Sequence, residues 1–279
     1  MVRLGNSELN VQINPQGGCL MAATFCGKPF LKPAPVGCFP LVPFGNRVAG
    51  NQFRFRNQTH VLKPNTKDDP LYLHGDGWLA PWLVVEESQT HVRLAYEHQA
   101  SHQSPYSYRA VQIVSINGNT LNLGLSVENR GEIALPFGLG FHPFFPRTPQ
   151  TRLRAPARLF WSEKTGHLPD TAGPVPDDLN FAAFNHLPDR WVNNAFAGWD
   201  GTAQIDWPEA RMTAAISGDA LFPHYVIYAP EDQIDFFCFE PMSHLPNGHN
   251  LPELGKLTIL KPGDKLSGGI TLRIDEMRD

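Results

Sequence analysis

Cysteine is scarce in this chain, long apolar runs are missing, and neither sign of charge dominates. The four cysteines, Cys19, Cys26, Cys38 and Cys238, form no C-x-x-C pair. That spacing argues against a zinc knuckle or a thioredoxin-like dithiol, and so few thiols fit a reducing compartment. No apolar stretch approaches the ~20 residues that span a bilayer, so a membrane is not an expected partner. The net charge is −4. Without a basic field to hold phosphates, nucleic acid is not an expected partner either. The opening residues, Met1 to Glu8, lack the basic and then apolar segments of a secretory signal, and a cytoplasmic location is expected. Charged residues make up only 18% against 42% apolar, which excludes a disordered chain. A chain of 279 residues buries a core without help from disulfides or a structural metal.

Proline (26) and glycine (24) are plentiful and spread from end to end. Because proline removes a backbone donor and fixes φ, long helices are not expected. Alternation with period two recurs instead, at Leu9-Val11-Ile13, Val92-Leu94-Tyr96, Leu121-Leu123-Leu125-Val127, Met212-Ala214-Ile216 and Ile270-Leu272-Ile274. Such runs read as strands with one face toward a core, and many short strands between turns give an all-β sandwich or barrel. Two proline-rich stretches, 28–46 and 146–190, read as long loops of the kind that form lids or rims. Aromatics and aliphatics continue through both, so residues 1–279 are read as a single domain.

Ionisable residues in apolar frames mark the candidate site. His74 stands in Leu71-Tyr72-Leu73-His74-Gly75-Asp76-Gly77-Trp78, at the end of a short strand, and glycine after it permits positive φ and close backbone approach. In Phe137-Gly138-Leu139-Gly140-Phe141-His142, alternation puts Gly138, Gly140 and His142 on one face, a bare backbone against which a ligand can lie. In Phe236-Phe237-Cys238-Phe239-Glu240, the carboxylate ends an apolar strand, where lost hydration raises its pKa toward that of a general base near neutrality. Asn46-Arg47 supplies directional donors suited to hydroxyls or a carboxylate. Two histidines and a glutamate can also hold a metal. However, no H-E-x-x-H or close-spaced H-x-D/E pair surrounds His74 or His142, and His244 and His249 fix no ligand geometry, so no metal is expected.

Taken in order, Asn46-Arg47 with Gly50 and Phe53, Leu73-His74-Gly75, Gly140-Phe141-His142-Pro143-Phe144-Phe145 and Phe239-Glu240-Pro241 resemble the aldose 1-epimerase (galactose mutarotase-like) family. The resemblance covers about residues 40–250, and the G-F-H-P-F-F and F-E-P segments are its most specific part. It implies a large antiparallel β-sandwich with an open face for a small-molecule sugar; a monomer or homodimer that needs no cofactor is expected. Carried over residue by residue, Glu240 matches the general base, His142 the general acid and His74 the second active-site histidine, with Arg47 and Asn46 as substrate-binding residues. One departure concerns an aspartate that often binds a sugar hydroxyl in that family. The comparable position here is Asn193, a neutral amide able to donate and accept, or alternatively Asp200. Trp78, Trp199 or Phe145 either offer an aromatic face to the sugar's C–H bonds or pack in the core. The alternatives are a hexose-6-phosphate 1-epimerase, with Arg54, Arg56, Lys63 and Lys67 as phosphate-binding candidates, and a non-catalytic carbohydrate-binding protein on the same fold. A glycoside hydrolase needs a second carboxylate flanking the bond, and only Glu240 fills such a role.

Overall fold

The alternating segments become strands throughout the computed structural model, which describes residues 1–33 and 37–277. Leu9, Val11 and Ile13 are buried while Asn10 and Gln12 are exposed, and Leu121, Leu123, Leu125 and Val127 are buried in the same one-in-two rhythm. Helical structure among the described residues is confined to short 3-10 turns.

Two large antiparallel sheets carry the fold. The first has eleven strands. Across it run Val2–Gly5, Leu9–Asn14, Cys19–Phe25, Cys38–Leu41, Gly140–Pro146, Phe236–Met242, His224–Ala229, Val192–Ala197, Leu159–Lys164 and Leu168–Gly173, with Lys28–Leu31 beside Cys19–Phe25. The second has nine, among them Thr202–Trp207, Met212–Gly218, Lys265–Glu276, Thr120–Asn129, Tyr108–Asn117 and His91–His98. Side chains of the first sheet (Leu9, Val11, Phe141, Phe237, Phe239) and of the second (Leu121, Leu123, Ile216, Leu272) form one continuous buried cluster. The sheets therefore share a core as a β-sandwich, each burying one face against the other. The opposite face of the eleven-stranded sheet carries a second, smaller apolar cluster that includes Phe39, Leu41, Ala195, Val226 and Met242.

The two proline-rich stretches depart from the long-loop reading. The first contains the strands Lys28–Leu31 and Cys38–Leu41, and its Pro35 lies outside the described residues. The second contains Arg152–Arg154, Leu159–Lys164, Leu168–Gly173 and Asn185–His186. Pro149, Pro156, Pro174, Pro176 and Pro188 fall between strands, and Pro169 sits in the outermost strand of its sheet. An edge strand tolerates proline because one of its sides needs no donor. Among the described residues no helix is long and apolar enough to cross a membrane.

Candidate active site

Consecutive strands of the eleven-stranded sheet each deliver a side chain to one pocket. The register pairs Gly140–Met242 and Phe144–Cys238 bracket His142 and Glu240, which places these two opposite each other on neighbouring strands. Tyr228 comes from the next strand and Asn193, paired with it in register, from the one after. Phe237 and Phe239 point to the core, so strict alternation turns Glu240 the other way. The pocket, about 520 Å³, is lined on this floor by His142, Phe144, Glu240, Tyr228 and Asn193. Asn46, Arg47, Asp69 and His74 line it from loops, and His167 and Trp191 close a further side.

The structure brings Glu240, His142, His74, Arg47, Asn46 and Asn193 together around this space. His142 Nε2 lies 3.2 Å from Glu240 Oε1. Glu240 is 2% exposed and His142 6%. The His142 ring lies against Phe39, with centroids 4.5 Å apart, and against Phe144, at 4.8 Å, and the His74 ring meets it edge-on at 5.0 Å. His142 Nδ1 and Glu240 Oε2 are buried and have no hydrogen-bond partner. Buried polar atoms are nearly always bonded, so each is an exception.

His74 does not end a strand. It sits in a loop at φ 59°, opposite Asn46 at φ 61°, and the two are tied reciprocally. The Asn46 backbone N–H donates to His74 Nδ1 and the His74 backbone N–H donates to the Asn46 carbonyl, each at 3.0 Å. Since Nδ1 accepts, the neutral ring carries its proton on Nε2 and can donate it. Asn65 pins the same loop, accepting from the Leu73 N–H and donating to the Leu73 and Gly75 carbonyls. Gly75 is indispensable here: it holds φ 70°, and a Cβ would lie 2.3 Å from the Val42 carbonyl oxygen. Arg47 Nε donates to Asp69 Oδ2 at 2.7 Å, which fixes the guanidinium beside the pair.

Burial governs the electrostatics. It pushes the Glu240 carboxyl up to about 8, against which the Arg47 charge acts weakly in the other direction. Burial drives His142 down to about 3, with its own backbone opposing and Arg47 assisting, and drives His74 well below the usual histidine range. Both charged forms are disfavoured, so across neutral pH the His142–Glu240 pair holds one proton in total.

Other residues expected at the site lie elsewhere. Asp200 is outside the pocket, with its Oδ1 accepting from the Thr202 N–H and hydroxyl at a turn. Gly138 and Gly140 present no bare backbone to a ligand: Gly138 is covered by the His244 ring and Gly140 by the Pro241 carbonyl and Met242. Trp199 and Phe145 are core residues, and Trp78 stacks on Phe39 behind His142. The aromatic faces of the pocket belong instead to Phe144, Trp191 and Tyr228. Arg54, Arg56, Lys63 and Lys67 do not line it, and Arg56 lines a separate cavity. Among the described residues no group of three or more His, Cys, Asp or Glu side chains is placed to hold a metal ion. Sequence reasoning missed Asp69, Glu163, His167 and Trp191. Their one local signal is the Gly166-His167 turn, which brings His167 back to Glu163; Asp69 meets Arg47 between loops, and Trp191 reaches Glu163 from 28 residues away.

Residues 1–273 match the family model described as aldose 1-epimerase. The uncharacterized protein YphB of Escherichia coli K12 is 38% identical over 286 residues, covering 98% of each chain. A solved E. coli K12 structure, itself described as a candidate aldose 1-epimerase, superposes with a TM-score of 0.95 at 38% identity over 99% of both chains. The galactose 1-epimerase structure from Lactobacillus acidophilus, at 17% identity, gives a TM-score of 0.82 over 99% of this chain and 94% of that one, a likeness of fold alone.

Proposed function

The chain belongs to the aldose 1-epimerase family, and from that premise we propose that it interconverts the α and β anomers of an uncharged hexose, with Glu240 as base and His142 as acid. The observation that carries this reading is the buried His142–Glu240 pair, 3.2 Å apart, at the floor of the pocket. An anomeric carbon bears two oxygens, the hydroxyl and the ring oxygen, on neighbouring bonds. A base and an acid this close can each reach one of them. Glu240, as carboxylate, takes the proton from the C1 hydroxyl while protonated His142 gives one to the ring oxygen. The bond from C1 to the ring oxygen breaks and leaves an open-chain aldehyde. Rotation about C1–C2 presents the other face, the C5 hydroxyl closes on it, His142 recovers its proton and Glu240 returns the other to the carbonyl oxygen. Each positioned transfer is worth roughly 10²–10⁴-fold. His74 Nε2–H donates to a sugar oxygen, and Arg47 stabilises charge that develops on oxygen.

Only the arrangement with Glu240 ionised and His142 protonated is reactive, and it contains the same single proton as the neutral arrangement. The rate is therefore expected to be level from pH 5 to 7 and to fall above about pH 8, where the pair loses its proton and no acid remains. A rate that keeps rising from pH 7 to 9 would instead make Glu240 a base acting without His142.

The lining favours an uncharged sugar over a phosphorylated one. Among its described residues the Lys or Arg side chain is Arg47, already held by Asp69 and next to Asp68. A phosphate dianion would meet more carboxylate than cation. Polarimetry on freshly dissolved α-glucose and α-galactose should show accelerated equilibration, and anomer exchange of glucose 6-phosphate, followed by NMR, should be unaffected. Acceleration of the phosphate alone would reverse this choice, and no acceleration of any aldose would leave a binding role on the same fold.

A further inference from the structure

We propose that Glu163 sets the hydrogen-bonding polarity of the sugar-binding wall, holding the Asn193 side chain so that its oxygen is left to accept from a sugar hydroxyl; this rests on the reading of the pocket as a sugar site. Glu163 belongs to the strand Leu159–Lys164 and does not itself line the pocket. Its carboxylate nevertheless gathers three residues that do. Asn193 Nδ2 donates to Oε1 at 2.7 Å, His167 Nδ1 meets the same oxygen at 2.6 Å, and Trp191 Nε1 donates to Oε2 at 2.8 Å. A carboxylate has acceptors only, so every partner must turn a donor toward it. For an amide whose two ends are otherwise interchangeable, that is decisive: Nδ2 is committed to Glu163. The bond that the Asn193 side chain makes to Glu163 runs through Nδ2, which leaves Oδ1 free of that contact.

The same carboxylate fixes the indole. Trp191 stands edge-on to Tyr228 with ring centroids 5.4 Å apart, and its ring faces His167 at 5.2 Å. Glu163 therefore orders one wall of the pocket from behind, and the wall selects a ligand that offers a hydroxyl donor at Asn193. A ligand with a bare carbon or a methyl ether there leaves Oδ1 unpaired. Glu163 is a positioning residue, because it acts through Asn193 and Trp191 and touches no reacting atom.

A polarity swap tests this. Asn193→Asp sets two carboxylates face to face, and Glu163→Gln lets the Asn193 amide turn over. Each should raise KM for the best sugar by about tenfold, the size of one lost buried hydrogen bond. kcat should stay within about threefold, because the His142–Glu240 pair is untouched. The double variant exchanges carboxylate and amide, so that an N–H at 163 donates to a carboxylate at 193, and KM should return to within about threefold of the wild type. A readout that needs no variant is hydrogen exchange of the Asn193 side-chain amide in the wild type, followed by NMR, which should be slow. Single variants with unchanged KM, a double variant no better than the singles, or an Asn193 amide that exchanges like an exposed one would each overturn the inference. A wild type that accelerates no sugar, with Asn193 still protected, would overturn the sugar-site reading and this inference with it.

Discussion

Glu240→Gln should lower the rate of anomer exchange by about 10³-fold or more and at the same time make the protein more stable. The amide keeps the shape of the carboxyl and can still bond to His142, yet it has no basicity. The stability effect follows from the sign of the pKa change. Burial raises the Glu240 carboxyl to about 8, so the folded state binds this proton more tightly than the unfolded chain does. The contribution is fully present below the ordinary carboxylate pKa and is lost as pH rises through 8. At pH 7 the wild type holds a proton that the unfolded chain would release, at a cost of about 3 kcal/mol. Glutamine removes that cost. The melting temperature of Glu240→Gln should match the wild type near pH 4.5 and exceed it increasingly toward pH 8. Equal melting temperatures across that range would mean that the carboxylate is ionised in the empty site. Retained turnover would dismiss Glu240 as the base.

Gly138→Ala should destabilise the protein by about 3–5 kcal/mol and disturb the pocket from outside it. A Cβ at this position would lie 2.0 Å from His244 Cδ2. His244 has little freedom to retreat, since it is 1% exposed, its Nε2 accepts from the Gly45 N–H at 3.0 Å and its Nδ1 donates to the Leu245 carbonyl at 2.9 Å. Displacing the ring strands the Gly45 N–H, and Gly45 leads directly into Asn46 and Arg47. Chemical denaturation should show the loss of stability, and KM should rise through the misplaced Asn46–Arg47 turn. Serine at the same position should behave like alanine. If alanine is tolerated without loss, the glycine is not there to make room for His244.

The strand pattern and the placement of His142 and Glu240 were legible in the sequence for the same reason. Leu121, Leu123, Leu125 and Val127 announce a half-buried strand, and the same alternation identifies Glu240 and His142 as the polar members of otherwise apolar runs. What remained hidden depends on pairing between distant strands. Asn193 and Asp200 look equally suitable as a sugar ligand until register places Asn193 beside Tyr228 and leaves Asp200 in a turn. The glycines before His142 suggested an approaching ligand, yet the approaching group is His244, from a segment that alternation does not connect to them. The proline-rich segments concealed short strands because Pro169 occupies an edge, and edges are a property of the sheet that no single strand reveals.

The row of strands beneath the pocket has a consequence for how the protein comes into being. Asn46, His142, Asn193 and Glu240 are far apart along the chain and meet only when Cys38–Leu41, Gly140–Pro146, Phe236–Met242, His224–Ala229 and Val192–Ala197 have docked side by side. Pairings of such separation form late, because the chain must close long loops before the contacts compensate for them. The hairpin of His224–Ala229 and Phe236–Met242 carries Tyr228 and Glu240, but His142 joins them only through the long-range pairing of Gly140–Pro146 with Phe236–Met242. Recovery of anomer exchange after dilution from denaturant should therefore lag behind recovery of β-structure, which makes turnover a clock for the last step of assembly.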